Sequence, residues 1–259
     1  MGQVSTEIAE GIATLWLDRP ERHNAFDDVL IGDLIGAIGE LGKDRAVHVV
    51  MLAGKGKSFS AGADLGWMRR MAGASEAENE ADAAVLAELM HRLNSLAKPT
   101  IALVQGAALG GGVGLVAACD VAVAAADAVF SLSEVRLGLI PSVISPYVIA
   151  AIGPRAARRY FLTAERFDAA TAERLGLVHG VVPADQLLTE GRSLAVLLAQ
   201  NPPIAMAEAK RLIADVAGRT VDAGLRAETA RRIAKLRAGA EAREGVSAFL
   251  EKRKPRWPN

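Results

Sequence analysis

Glu134 stands at the end of Phe130-Ser131-Leu132-Ser133-Glu134 and just before the apolar Leu137-Gly138-Leu139-Ile140-Pro141. A carboxyl group with apolar neighbours has a raised pKa and suits general acid/base work. The spacing Ser131-x-x-Glu134 fits a helix capping box equally well. Two loops offer the complementary part, backbone N–H groups that stabilise negative charge. The first is Lys57-Ser58-Phe59-Ser60-Ala61-Gly62-Ala63-Asp64, between a buried strand and a helical stretch. Unpaired N–H groups at such a junction bind anions, while the plainer reading makes Asp64 a helix N-cap. The second runs from Gln105 to Gly114 and contains Gly110-Gly111-Gly112. Consecutive glycines let backbone approach a ligand, or let a helix pack tightly. Within it, Gly112-x-Gly114-x-x-Ala117 mimics a dinucleotide fingerprint, but the nearest acidic candidate is Glu134, set before Val135-Arg136-Leu137-Gly138. A dinucleotide unit needs that acid at the end of the next strand.

Other chemistry finds less support. His23, His48, His91 and His179 are scattered, and none pairs with Cys119 at ligand spacing, so no metal site is expected. Gly54-Lys55-Gly56-Lys57-Ser58 lacks the Walker spacing. No Gly-x-Ser-x-Gly elbow occurs. The basic run Glu251-Lys252-Arg253-Lys254-Pro255-Arg256 reads as a phosphate contact or as a solvated tail.

The elements that must carry these residues follow from periodicity. Val4–Ala9 and Ile12–Leu17 read as a hairpin turning at Glu10-Gly11. Leu30, Leu34, Ile35, Ile38 and Leu41 recur at helical spacing from about Asp27. Strands are expected over 48–53, 100–104 and 120–125, and helices over 75–96 and from the glycine triplet to Ala118. From Ser142 onward the pattern is almost wholly helical, with Val181-Val182-Pro183 the one strand-like piece and Asn201-Pro202-Pro203 a break. Alternation followed by helices gives an α/β core with a helical tail.

Composition sets the outer bounds. The 259 residues are 51% hydrophobic and 23% charged, the balance of a folded globular chain and not of a disordered one. Alanine supplies about a fifth of them, which favours helix. Lys+Arg and Asp+Glu both count 30, so nothing global attracts nucleic acid or an anionic membrane. The uncharged run from Pro99 to Cys119 approaches the length of a membrane span, but Pro99, Gln105 and five glycines argue for a buried strand, turn and helix. No secretory leader is evident at the N-terminus. The lone Cys119 suits a reducing compartment, and a cytoplasmic location is expected.

Taken in order, several segments resemble the enoyl-CoA hydratase/isomerase (crotonase) superfamily. They are Leu17-Asp18-Arg19-Pro20-Glu21-Arg22-His23-Asn24-Ala25, Phe59-Ser60-Ala61-Gly62-Ala63-Asp64-Leu65, Gly106-Ala107-Ala108-Leu109-Gly110-Gly111-Gly112, Ala118-Cys119-Asp120, the stretch from Phe130 to Pro141, and Phe249-Leu250-Glu251-Lys252-Arg253. The resemblance implies a spiral of ββα turns with two nearly perpendicular sheets over residues 1–200. It implies a helical trimerisation region over 201–259, in trimers that often pair into hexamers. It implies an acyl-CoA thioester substrate and no cofactor beyond the coenzyme A that substrate carries. Some members of the family also bind RNA, but the zero net charge and short basic tail argue against it here, and no nucleic-acid or membrane partner is expected. Its oxyanion hole falls on the N–H groups of Ala63 and Gly111, and its acid/base on Glu134. Arg22 and His23 fall near the pantetheine and phosphates, and the Ala61 carbonyl faces the adenine amine. Asp64 and Leu65 complete the substrate loop, and Lys252 reaches adenine or phosphate, of its own subunit or of a neighbouring one.

One position departs from the family pattern. Gly114 stands where two-glutamate hydratases carry their other carboxylate, at a place expected to face the substrate. One glutamate suffices for moving a proton between carbons, as in the family's Δ3,Δ2-isomerases. Yet the stretch from Ser133 to Tyr147, with Gly112-Val113-Gly114-Leu115-Val116, resembles the bacterial methylglutaconyl-CoA hydratase branch. Hydration of a branched or carboxylated 2-enoyl-CoA is therefore expected, with water held by Glu134 and by backbone, Ser142 or Ser145. Arg69 or Arg70 is then the candidate partner of a distal carboxylate, against the plain reading of a solvated helix face. Isomerisation and other thioester enolate chemistry such as decarboxylation are the alternatives.

Overall fold

The computed structural model describes residues 2–257, and the chain divides into two compact units between Leu198 and Ala199. The first unit opens with the hairpin, Val4–Ala9 (β1) against Ile12–Leu17 (β2), antiparallel. Asp27 caps the next helix, Asp28–Lys43 (α1), by accepting from the Leu30 N–H at 2.9 Å. The recurring apolar residues Leu30, Leu34, Ile38 and Leu41 all turn inward from α1.

Val49–Gly54 (β3) is buried throughout and lies parallel to β2. Leu65–Ala72 (α2) and Glu76–Ser95 (α3) follow, the latter begun by a complete Ser75/Glu78 capping box. Thr100–Val104 (β4) is also buried throughout. Ala107–Leu109 (β5), Gly111–Ala118 (α4), Val121–Ala125 (β6) and Val129–Ser131 (β7) complete the part that carries the glycine loops. Ser145–Thr163 (α5), kinked at Gly153-Pro154, Phe167–Asp168 (β8), Ala169–Leu175 (α6), Gly180–Val182 (β9) and Leu187–Ala199 (α7) follow.

The strands form two sheets. One has the order β1-β2-β3-β4-β6-β9, parallel from β2 onward, and the other the order β5-β7-β8. Parallel neighbours require crossovers, which α1 and α3 supply. The core between sheet and helices is aliphatic, with Leu15, Leu34, Leu52, Leu89 and Leu103 sealed from water. The carboxyl ends of β3 and β4 open into the two loops singled out by sequence, as parallel sheets place their sites.

The second unit is helical: Pro203–Val216 (α8), Ala223–Arg237 (α9) and Ala240–Leu250 (α10). Its buried Glu241 accepts from the N–H groups of Ile204 and Ala205, both at 2.9 Å, and so closes the first turn of α8. Among the described residues no helix is long and apolar enough to cross a membrane.

Three local expectations need correction. Ser131 does not cap a helix with Glu134. It ends β7, its hydroxyl donates to the Ala164 carbonyl, and the turn Glu134–Leu137 has no side-chain cap. Phe167–Asp168 is a strand in the region read as almost wholly helical, held by pairing with β7. Two residues are too few to show a period of two. Ala107–Leu109 is likewise a strand, paired with β7, inside the glycine-rich loop.

Candidate active site

The first loop is built on Asn24. This fully buried residue accepts from the Arg19 N–H at 2.9 Å and donates to the carbonyls of Lys55 at 3.0 Å and Ser58 at 2.8 Å. It thereby ties the turn at 19–25 to the loop after β3. Ser60 sits beneath, its hydroxyl donating to the Asn24 carbonyl at 2.8 Å. Ser60 also pairs with the second loop, donating from its N–H to Ala107 and accepting from the Leu109 N–H, both at 2.9 Å. The two glycine-bearing loops are therefore joined by one short parallel bridge, Ser60 to Ala108.

Two peptide planes follow from this framework. The Gly62 carbonyl accepts from the Phe26 N–H at 2.7 Å. In a trans peptide the next N–H points the opposite way, so the Ala63 N–H faces away from Phe26. The Gly110 carbonyl accepts from the Gly114 N–H at 3.2 Å, along the axis of α4. The Gly111 N–H therefore projects out of the amino end of that helix. Among the described residues, neither N–H donates to a protein acceptor. Phe26 joins the two planes. Its backbone grips Gly62 and Asp64 on either side of Ala63, and its ring lies 3.2 Å from where a Gly111 Cβ would be.

Glu134 completes the arrangement. Its Oε1 lies 3.2 Å from where a Gly110 Cβ would be, so the carboxylate rests against the start of α4. Gly110 has φ +49° and ψ −116°, a conformation open in practice to glycine alone. The buried Oε2 of Glu134 has no hydrogen-bond partner. Burial pushes this carboxyl above the ordinary glutamate value. A carboxylate so placed can take up a proton, next to outward N–H groups that can hold an oxyanion.

The remaining expected residues fall as follows. Arg22 and His23 are exposed on the turn beside the first loop, with His23 Nδ1 3.1 Å from the Ser58 hydroxyl. The Ala61 N–H donates to the His23 carbonyl at 2.9 Å, bringing Ala61 to the same edge. Asp64 caps α2 through the N–H groups of Gly66 and Trp67 and pairs with Arg19 at 3.3 Å, so its side chain is engaged in structure. Leu65 is 70% exposed. Arg70 pairs with Asp28 on a solvated face, in keeping with the plainer reading of these arginines. The Ser145 hydroxyl donates to the Ser142 carbonyl at 2.8 Å, so its proton is not free for water. Lys252 lies in the second unit, exposed just after α10.

Gly114 departs most from expectation. It is buried, and a Cβ there would meet Ile144 Cγ2 at 2.2 Å and Met90 Cε at 3.2 Å. The position is closed by packing and does not open toward a substrate. Sequence reasoning assigned no role to Phe26, which has no motif, and read Ile144 only as part of the Ser133–Tyr147 stretch; each acts through a contact distant along the chain. A cavity of about 510 Å³ opens at the other end of α4, between Asn94, Ala117, Cys119, Tyr147 and His179, and none of the site residues lines it.

Comparison with known proteins fits this geometry. A family model described as enoyl-CoA hydratase/isomerase matches residues 7–259. A crystal structure of an enoyl-CoA hydratase from Shewanella pealeana is 45% identical, with a TM-score of 0.96 and coverage of 98% of this chain and 96% of that one. The Δ(3,5)-Δ(2,4)-dienoyl-CoA isomerase of Dictyostelium discoideum mitochondria is 35% identical over 94% of this chain and 86% of its own. The 2,3-dehydroadipyl-CoA hydratase of Escherichia coli is 33% identical over 98% of each. Two glycine loops, a half-buried glutamate with an unpartnered carboxylate oxygen and whole-length similarity thus agree, and the chain belongs to the enoyl-CoA hydratase/isomerase family.

Proposed function

We propose that the protein hydrates a 2-enoyl-CoA thioester, with Glu134 as the single acid/base and the N–H groups of Ala63 and Gly111 as the oxyanion hole. The observation that carries this reading is Glu134, with Oε2 buried and unpartnered and Oε1 against Gly110, at the start of the helix whose first N–H points outward. Glu134 takes a proton from water as its oxygen bonds to C3 of the substrate. The electron pair of the C2–C3 double bond moves toward the thioester, whose oxygen becomes negative against the two donors. Glu134 then returns the proton to C2. One water is consumed, the glutamate is regenerated, and both additions occur on one face. No cofactor is needed beyond the coenzyme A carried by the substrate.

Arg22, His23, the Ala61 carbonyl, Asp64 and Leu65 are assigned to the CoA moiety, with Asp64 acting through the shape of its cap. Lys252 is assigned to adenine or phosphate, within a trimer or hexamer formed through the 201–259 region, and the protein is placed in the cytoplasm. The acyl group is assigned as branched or carboxylated, of the 3-methylglutaconyl type, which leaves Arg69 as the candidate for its distal carboxylate.

Isomerisation is the second reading, favoured by the closed packing at Gly114, which leaves one carboxylate. The same glutamate would then carry a proton between C4 and C2. Loss of enoyl-thioester absorbance on crotonyl-, 3-methylcrotonyl- and 3-methylglutaconyl-CoA separates the two. Hydration of any member supports the proposal. Migration of a 3-enoyl double bond with no hydration replaces it.

A further inference from the structure

We propose that Arg19 is a positioning residue for the oxyanion hole: its guanidinium closes a ring of contacts that holds the Ala63 N–H outward. This deepens the hydratase reading and rests on its assignment of that N–H. The ring is built on both sides of Phe26. Arg19 Nη1 donates to the Ala25 carbonyl at 3.2 Å and meets Asp27 Oδ2 at 2.6 Å, so it holds the residues before and after Phe26. Phe26 in turn holds the residues before and after Ala63. Its N–H donates to the Gly62 carbonyl and its carbonyl accepts from the Asp64 N–H, both at 2.7 Å. Asp64 closes the ring, its Oδ2 lying 3.3 Å from Arg19 Nη2. The two aspartates divide their oxygens alike. Asp27 Oδ1 accepts from the Leu30 N–H, and Asp64 Oδ1 from those of Gly66 and Trp67, so each caps a helix with one oxygen and turns the other to Arg19. Gln3 Nε2 adds a contact to Asp27 Oδ2 at 3.3 Å. The side chains of Arg19, Asp27 and Asp64 are 15%, 12% and 12% exposed, so water replaces none of them well. Three acceptors at three chain positions match the planar fork of a guanidinium; a lysine ammonium carries the charge but not the span. The Arg19 backbone is fixed separately, its N–H donating to Asn24 Oδ1 at 2.9 Å and its carbonyl accepting from the Asn24 N–H at 3.0 Å. Arg19 touches no reacting group by this account; it acts through Phe26 and Asp64 on the direction of one N–H.

The test uses the full chain with Arg19→Lys and Asp64→Asn, singly and together. Asp64→Asn keeps an oxygen for the α2 cap and removes the charge that Arg19 holds. Steady-state hydration, binding of free CoA, melting temperature and amide hydrogen exchange are measured on each. Arg19→Lys is expected to lose about 10- to 100-fold in kcat, the scale set by a displaced oxyanion donor. KM and the affinity for CoA should stay within about threefold of wild type, because the backbone bonds between Arg19 and Asn24 are untouched. A merely structural role would lower the melting temperature and leave the kcat of the folded enzyme alone. Exchange at the Phe26 and Asp64 amides is expected to speed by about tenfold or more. The double variant is expected to lose little beyond the worse single one, because both changes open the same ring. Should Arg19→Lys fail to fold, Asp64→Asn opens the ring from its other side and carries the same kinetic and exchange readouts. A folded Arg19→Lys with kcat within about threefold of wild type overturns the proposal, and so does unchanged exchange at Phe26 and Asp64. If wild type hydrates no enoyl-CoA, the hydratase reading fails, and the exchange rates alone decide whether Arg19 closes the ring.

Discussion

Replacing Gly111 by proline removes one N–H and little else from the fold. Gly111 is the first residue of α4, the position at which proline is best tolerated, because its N–H has no helical partner. The preceding Gly110 has no Cβ to clash with a prolyl Cδ. One cost remains, since a Cβ at 111 would meet Phe26 ring atoms at 3.2, 3.4 and 3.7 Å. Crowding of this kind costs about 1–2 kcal/mol, and alanine at 111 incurs it equally. Alanine keeps the N–H, so the Pro-minus-Ala difference isolates the donor. Losing one oxyanion donor costs about 3–4 kcal/mol, on the order of 100- to 1,000-fold in kcat. Steady-state hydration kinetics for Gly111→Ala and Gly111→Pro, with melting temperatures beside them, measure that difference. Similar melting temperatures with a further loss of about 100-fold or more in the proline variant are expected. Equal activities in the two variants refute the assignment of the Gly111 N–H.

Three other outcomes follow from the same structure. Because burial raises the Glu134 pKa, its basic form appears only above the ordinary glutamate value of 4.5, and the acid limb of kcat/KM for hydration should lie above that value. The protonated form is the one the fold favours; its stabilising contribution is full below the ordinary value and lost as pH rises through the folded value. Glu134→Gln should therefore melt higher than wild type at pH 8 and not at pH 4, and a lower melting temperature at pH 8 contradicts the burial argument. Asn24→Ala removes three hydrogen bonds and leaves alanine at φ +53°; denaturant unfolding should show a loss of about 2–4 kcal/mol, and a loss below about 1 kcal/mol would show that Asn24 does not hold the first loop. Glu241→Ala frees two N–H groups in the first turn of α8 and should speed hydrogen exchange at Ile204 and Ala205; unchanged exchange there would show that another group closes the turn.

Much of the frame was legible in the sequence because its signals are local. The apolar spacing from Leu30 to Leu41 marked α1, Lys98-Pro99 ended the helix before β4, and the glycine triplet marked the start of α4. Local signals misled where two structures share one pattern: Ser131-x-x-Glu134 has the spacing of a capping box, yet Ser131 belongs to β7 and bonds to Ala164. The site itself depends on contacts that no window contains. Gly114 looked like a vacancy left by a missing acid until Ile144, thirty residues on, proved to fill it. Phe26 carries no motif, although its backbone sets the Ala63 N–H and its ring packs against Gly111. The direction of an N–H depends on where the preceding carbonyl is anchored, here Phe26 for Gly62 and Gly114 for Gly110. Such information exists only once the chain has folded.

The central claim is that one half-buried glutamate performs both proton transfers of hydration. It is tested most directly by following enoyl-thioester absorbance with wild type and Glu134→Gln on crotonyl-, 3-methylcrotonyl- and 3-methylglutaconyl-CoA, with CoA binding measured in parallel. Wild type should hydrate at least one member. Glu134→Gln should lose about 100- to 10,000-fold in rate while binding CoA as wild type does. Hydration by Glu134→Gln within tenfold of wild type would contradict the claim, because some other group would then be moving the proton.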